Sequence, residues 1–203
     1  MRSWLASGTS IRFSVSYSTM EYQGISRSFA VDYVVLGFLA EQPLHGYELR
    51  DRLSDGLGAL WRIASSQLYN VLRRLEKKAW VEREDVPQDN SPPRKVYHLT
   101  EAGHAAFWGW AVSPVRHLRD VRVEFLAKLY LVRRLAPERI PELVDAEVSA
   151  LRQLAEHIER RSMIQSDDDV FGELAIGFRR SQVEGTLAWL IEHAEEMQRM
   201  EES

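Results

Sequence analysis

One segment limits what this chain can become. Over Ser65–Lys78 the sequence reads SSQLYNVLRRLEKK, with apolar residues at Leu68, Val71, Leu72 and Leu75. That i, i+3, i+4, i+7 spacing gathers them on one stripe of an α-helix. The rest of the surface is polar and basic: Ser66, Tyr69, Asn70, Arg73, Arg74 and Lys77. Such a helix must seat its stripe on a scaffold and leave its other face in solvent. The serine at its start is expected to cap first-turn amides. Directly afterwards the period drops to two. Trp80–Arg83 and Lys95–Leu99 alternate like short strands, and VPQDNSPPR between them suits the tip of a hairpin.

The scaffold is legible upstream. Phe29–Glu41, FAVDYVVLGFLAE, is apolar nearly all round, so a helix there is buried on most sides, and Pro43 ends it. A short helix then opens at Gly46 and stops by Gly56, with Leu49 and Leu53 on its inner face. Downstream of the strands, Thr100 is placed to cap a helix that runs through Trp108 and Trp110. The order helix, helix, helix, strand, loop, strand, helix is that of a winged helix-turn-helix.

Beyond a boundary at Ser113-Pro114, read as a helix cap followed by a first-turn proline, everything looks like long helix. Leu118, Val121, Phe125, Leu129 and Val132 step by three and four. Ile140, Val144, Leu151, Leu154 and Ile158 mark a second helix, and residues 171–197 a third, entered through the acidic turn Ser166–Asp169. Apolar stripes over most of their length cannot all be buried within one thin hairpin, which gives these helices a reason to dimerise. Ser181, Gly185 and Ala188 form a small-residue row that allows close approach; an ordinary intrachain bundle is the competing reading. The fold class expected is mainly α: a winged helix-turn-helix over 29–112, then an antiparallel helical dimerisation domain over 113–203. Residues 1–28 read as a tail, open to three accounts: a targeting peptide, a disordered arm, or an over-extended start with Met20 as the true first residue.

Composition narrows the chemistry. The 203 residues contain no cysteine, which removes disulfides, thiolate zinc sites, iron–sulfur clusters and cysteine nucleophiles together. No apolar run is long enough to span a bilayer, so a soluble, cytoplasmic protein is expected. The net charge of −4 is unevenly spread: residues 29–100 balance ten basic against ten acidic groups, whereas 101–203 carry 13 basic and 19 acidic. An anionic polymer would meet the first half. No P-loop, GxSxG elbow or HExxH occurs, and His104 and His117 alone do not make a metal site. No enzyme, metal or cofactor is therefore expected.

A duplex major groove admits one α-helix, which must bury one stripe and offer donors on the other. Helix Ser65–Lys78 meets both demands. Ser66, Gln67 and Asn70 at its N-terminal end are sized for base edges, while Arg73, Arg74 and Lys77 suit phosphates or guanine. Arg94 and Lys95 on the hairpin would reach a neighbouring backbone. Taken singly, each feature has a plainer account. Exposed basic residues are usually just solvated, Tyr69 can pack half-buried, and Pro92-Pro93 can simply stiffen a loop. Their conjunction, in this order and within one domain, is what points to double-stranded DNA. Trp108 and Trp110, at the junction with the second half, are candidates for binding a small aromatic or hydrophobic effector, with plain packing as the alternative.

At these residues the chain resembles a known family. LHGYEL, SSQLYNVLRRLEKKAWVE and RKVYHLTEAG are similar to the winged-helix domain of the PadR family of bacterial transcriptional regulators. VRVEFLAKLY and the two long helices after it are similar to the C-terminal domain of that family's larger-tailed subgroup. The resemblance covers about residues 29–200. It implies a homodimeric DNA-binding regulator, most often a repressor, released by a small molecule. It also implies DNA contacts from Ser66, Gln67, Tyr69 and Asn70, with Arg73 and the wing residues Arg94, Lys95 and Tyr97. The chain departs at Ala79 and Trp80, where the family commonly has glycine and then isoleucine or leucine. The alternative function is a helical interaction module whose winged helix binds a protein partner, consistent with the neutral charge sum over 29–100.

Overall fold

Helix α1 (Ile25–Glu41) is the central post. Val31, Val34, Val35, Leu36, Phe38 and Leu39 are each at most 3% exposed, as a helix apolar on nearly every side requires. The computed structural model describes residues 25–58, 60, 62–88, 91–162 and 170–200. The tail expected over 1–28 lies outside these up to residue 24, and α1 takes up its last four residues. The acidic turn at 166–169 also lies outside. Gly37 is where α1 meets its neighbours most closely: a Cβ there would come within 2.8 Å of Phe107 and 2.7 Å of Leu131.

Around α1 pack α2 (Gly46–Leu57), α3 (Ser65–Lys77) and α4 (Glu101–Ala111). Helix α3 buries the four residues of its expected stripe, Leu68, Val71, Leu72 and Leu75, all at 2% exposure or less. Each such burial stabilises by about 1.5–3 kcal/mol. The sheet is antiparallel with order β1-β3-β2, where β1 is Leu44–His45, β2 Val81–Gln88 and β3 Ser91–Leu99. Two residues are too few to show a period, so β1 left no trace in the sequence; it is held by Leu44 pairing with Tyr97 and His45 with Val96. The strands of the hairpin run well into the stretch expected as loop, pairing from Val81 with Leu99 to Gln88 with Ser91. The prolines stay out of the regular ladder. Pro87 falls at the register shift between Val86 and Gln88, and Pro92-Pro93 lie opposite it.

The start of α3 differs from expectation. Its N-cap is Ala64, which has no side chain to cap with, and Ser65 is the first helical residue. Thr100 does cap α4, accepting from the Gly103 N–H at 3.0 Å while donating to the Ala79 carbonyl at 2.8 Å. Ser113 does not open the next helix. Its hydroxyl donates back to the Trp110 carbonyl at 2.8 Å, and α5 (Leu118–Leu135) starts four residues after Pro114. After a 3-10 turn at Pro137–Arg139 come α6 (Ile140–Ser162), α7 (Val170–Glu192) and α8 (Ala194–Arg199). The last expected helix is thus divided at His193, whose backbone N–H and ring nitrogen both engage the Trp189 carbonyl. Helix α5 packs on α1, and α6 packs chiefly against α7.

A buried polar cluster joins the two halves. Lys128 of α5 is 0% exposed. It donates to the Ser113 carbonyl at 2.7 Å, pairs with Glu124 at 3.2 Å and lies 5.0 Å from the Trp110 ring centre. The Trp110 indole N–H donates to Glu124 at 2.9 Å. Glu147 of α6, 1% exposed, accepts from the Val115 N–H at 2.7 Å. Burial pulls the Lys128 ammonium below the usual lysine range and pushes the Glu147 carboxyl above its own.

The end of α3 carries a strained residue. Ala79 has φ of 55°, its N–H bonds the Glu76 carbonyl, and the Trp80 N–H reaches back to Leu75. This is a Schellman closure, which favours glycine because a Cβ in the left-handed region costs about 1 kcal/mol. Ala79→Gly is expected to raise the unfolding free energy by about 0.5–1 kcal/mol, read from the denaturant midpoint at unchanged m-value.

Candidate nucleic-acid interface

The outward face of α3 is set by a charge buried beneath it. Asp32, on α1, is 1% exposed. The Arg74 guanidinium donates to it from Nε at 2.9 Å and from Nη2, and Lys78 donates from Nζ at 3.1 Å. A buried carboxylate demands such partners. Arg74 and Lys78 are thereby drawn toward α1, and the helix is locked in rotation. Lys78 also sits 4.4 Å from the centre of the Trp80 ring. Arg74, expected to face DNA, is engaged in the fold itself, with its side chain 37% exposed.

Ser66, Gln67, Asn70, Arg73 and Lys77 remain on the exposed side. Arg73 donates to the Asn70 side-chain oxygen and, at 3.4 Å, to the Tyr69 carbonyl, so its guanidinium is held over the helix rather than extended. Tyr69 is half-buried. A Cβ on Gly46 would meet its ring and hydroxyl at 3.0 Å, so the absence of a side chain at Gly46 lets α2 begin directly against Tyr69. The first turn of α3 has no side-chain cap, which leaves its amides with the positive end of the helix dipole for an anion. On the wing, Arg94 and Lys95 are exposed. Tyr97 is a correction: it is 4% exposed, and burial raises its hydroxyl pKa, so it packs in the core and offers almost no surface to a duplex. Alternation explains the difference, since Lys95 and Tyr97 share a face of β3 that is solvated at the tip and covered near its base.

A family model described as the Transcriptional regulator PadR-like family matches residues 35–108. The probable transcriptional regulator Rv1176c of Mycobacterium tuberculosis is 33% identical over 93 residues, 46% of this chain and 49% of that protein. The negative transcriptional regulator PadR of Bacillus subtilis is 26% identical over 111 residues, 55% of this chain and 61% of that protein. The chain belongs to the PadR-like family. It spans about half of the first of these relatives and about three-fifths of the second. A crystal structure of Bacillus subtilis PadR in complex with operator DNA covers 82% of this chain and 98% of its own, at 20% identity and a TM-score of 0.42.

The family match runs from within α1 to α4 and so takes in the whole α3 face. Two neighbours of that face escaped the sequence reading. Tyr47 is 68% exposed at the start of α2, and the Arg50 guanidinium stands 5.7 Å from its ring centre. The signal was present: Tyr47 and Arg50 are three apart on α2, the i, i+3 spacing of neighbours on a helix surface.

The two tryptophans expected at an effector site pack instead. Trp110 is 9% exposed and stacks on Tyr33 at 5.4 Å between ring centres, while Trp108 donates to His104 at 3.1 Å and lies under Arg139. Neither lines the cavity found at the junction. That cavity, about 280 Å³, is walled by residues of α1, α5 and the connection before α3, among them Val34, Leu60, Arg62, Arg119, Arg122 and Glu124. Among the described residues no group of three or more His, Asp or Glu could hold a metal. No helix among them is long and apolar enough to cross a membrane.

Arg73 and Arg74 are adjacent in sequence and opposite in role, which thermal or denaturant unfolding will separate. Arg74→Ala leaves the Asp32 carboxylate with Lys78 alone and is expected to cost about 2–3 kcal/mol. Arg73→Ala is expected to stay within about 0.5 kcal/mol of the parent.

Proposed function

We propose that the chain is a sequence-specific DNA-binding transcriptional repressor, acting as a homodimer on a palindromic operator and released by a small effector. One observation carries the reading: α3 turns its apolar stripe inward, Arg74 and Lys78 are taken up by the buried Asp32, and Ser66, Gln67, Asn70, Arg73 and Lys77 are left as a continuous polar and basic face. In this reading residues 29–112 are the DNA-binding unit, with Ser66, Gln67 and Asn70 toward base edges. Arg73, Lys77, Arg94 and Lys95 bind phosphates, with Tyr69, Tyr47 and Arg50 beside them. The action is regulatory, carried out in the cytoplasm without a catalytic step. The negative role follows the description of its Bacillus subtilis relative.

The effector fits the junction cavity better than the packed tryptophans. Apolar Val34 and Leu60 with Arg62, Arg119 and Arg122 suit a small aromatic acid. Such a ligand would touch Glu124, which already holds Trp110 and Lys128.

Gel-shift titration over a salt series against the DNA upstream of the gene tests the DNA reading. Arg73→Ala is expected to weaken binding and to flatten the log–log salt slope by about 0.9, the share of one phosphate contact. In the same titration p-coumarate, the acid present in one solved structure of Bacillus subtilis PadR, serves as the effector probe: it should weaken the wild-type shift and leave that of Arg122→Ala unchanged. If an intact dimer gives no sequence-selective shift at low salt, the winged helix is a surface for a protein partner instead.

The dimer reading rests on α7. Phe171, Leu174 and Phe178 are 81%, 69% and 65% exposed along one edge of the helix, too much apolar surface for a free helix in water. Near the other end of α7, Gly185 and Trp189 face α5 across a groove of about 620 Å³. A two-fold partner can lay the first into the second and the second over the first. Combining Phe171→Asp with Phe178→Asp should raise the dimer dissociation constant by about a hundredfold or more, measured by sedimentation. A dimer of unchanged strength would remove α7 from the interface.

A further inference from the structure

We propose that the buried cluster of Lys128, Glu124 and Glu147 sets the distance between the two recognition helices of the dimer, making Lys128 and Glu147 positioning residues for operator spacing. The inference rests on the repressor reading above.

The connection 112–117 is the only covalent link between α4, which belongs to the reading head, and α5. A link of that kind pivots freely unless something holds its backbone. Here side chains from two helices hold it and the end of α4. Lys128 on α5 takes the Ser113 carbonyl at 2.7 Å. Glu147 on α6 takes the Val115 N–H at 2.7 Å. Glu124 on α5 takes the Trp110 indole at the end of α4, at 2.9 Å. The tie from Glu147 is the decisive one, because α6 packs chiefly against α7, the helix through which the dimer is proposed to form.

The leverage is large. Helix α6 has 23 residues. At 1.5 Å per residue it is about 35 Å long, so a tilt of about 10° at the junction displaces its far end by about 6 Å. Base pairs are about 3.4 Å apart, so that displacement alone shifts the fit by about two base pairs. Apolar residues of the same volume would fill the junction at a smaller desolvation cost than Lys128 and Glu147 incur. What the charged groups add is direction, since a hydrogen bond fixes an angle that apolar contact leaves loose.

The test uses the full-length dimer and duplexes whose two half-sites are separated by a series of spacings. The wild type is expected to lose affinity on the order of tenfold when the optimal spacing changes by one base pair. Glu147→Gln keeps an acceptor for the Val115 N–H and should keep that preference. Glu147→Leu and Lys128→Met should bind with less than about threefold discrimination between neighbouring spacings, with unchanged affinity for nonspecific DNA and unchanged helical circular dichroism.

A second readout needs no DNA. Because the chain has no cysteine, Gln67→Cys gives a single labelling site on each recognition helix. The spin–spin distance distribution across the dimer should be narrow in the wild type and Glu147→Gln, and broad in Glu147→Leu and Lys128→Met. Folded dimers of the last two that keep a sharp spacing optimum and a narrow distance overturn the proposal. If neither variant folds, the cluster is a folding requirement and the positioning role is rejected. A wild type that binds no duplex in the series, while still giving a narrow distance, rejects the repressor reading instead.

Discussion

A carboxylate on a helix that is otherwise apolar nearly all round must find a cation, and Asp32 takes two, Arg74 of α3 and Lys78 directly after it. The rest of the reading head follows from that contact. Four aliphatic residues seat α3 on the core, but a greasy stripe tolerates some rolling about the helix axis. The fork of Arg74 on Asp32 does not, because two donors on a planar group define an orientation. With Arg74 and Lys78 drawn inward, the residues left outward are those a duplex could use. The same contact explains why two consecutive arginines divide their labour, one holding the helix and the other facing solvent.

The second constraint lies at the junction. Two buried side chains, Lys128 and Glu147, grip the backbone between α4 and α5, and Glu124, which pairs with Lys128 and holds Trp110, also belongs to the wall of the neighbouring cavity. A ligand competing for Glu124 would loosen the grip on Trp110 and Lys128 without touching α3. The proposed effector response therefore needs no long chain of rearrangements; the cavity and the pivot share a residue. Unpartnered aromatic residues on α7 complete the arrangement, since a pivot matters for DNA only when two copies are joined beyond it.

Much of this was legible in the residues. The stripe at Leu68, Val71, Leu72 and Leu75, the all-round burial of α1 and the Thr100 cap are consequences of local spacing, and each stands as the sequence implied. Errors arose where a local rule met a distant competitor. Ser65 could have capped α3, yet the cap position falls one residue earlier, at Ala64, and Ser65 is already helical. Ser113 could have capped a helix, yet its hydroxyl went to Trp110 and its carbonyl to Lys128, fifteen residues on. Tyr97 looked like a wing residue because alternation gives its face and not how far along the strand that face stays covered. Trp108 and Trp110 sat at the expected junction, but their rings and N–H groups were claimed by Tyr33, Arg139, His104 and Glu124.

By itself the sequence determined where the longer helices and the hairpin lie and which helical stripes must leave water, because those depend on residues two to four apart. Only the tertiary structure decided which of the charged residues are free to meet a ligand. Asp32 lies 42 residues before Arg74, and Val115 lies 32 before Glu147. No local pattern connects such pairs. Burial brings them together, because a charge or an amide removed from water must be matched by whatever the fold places beside it.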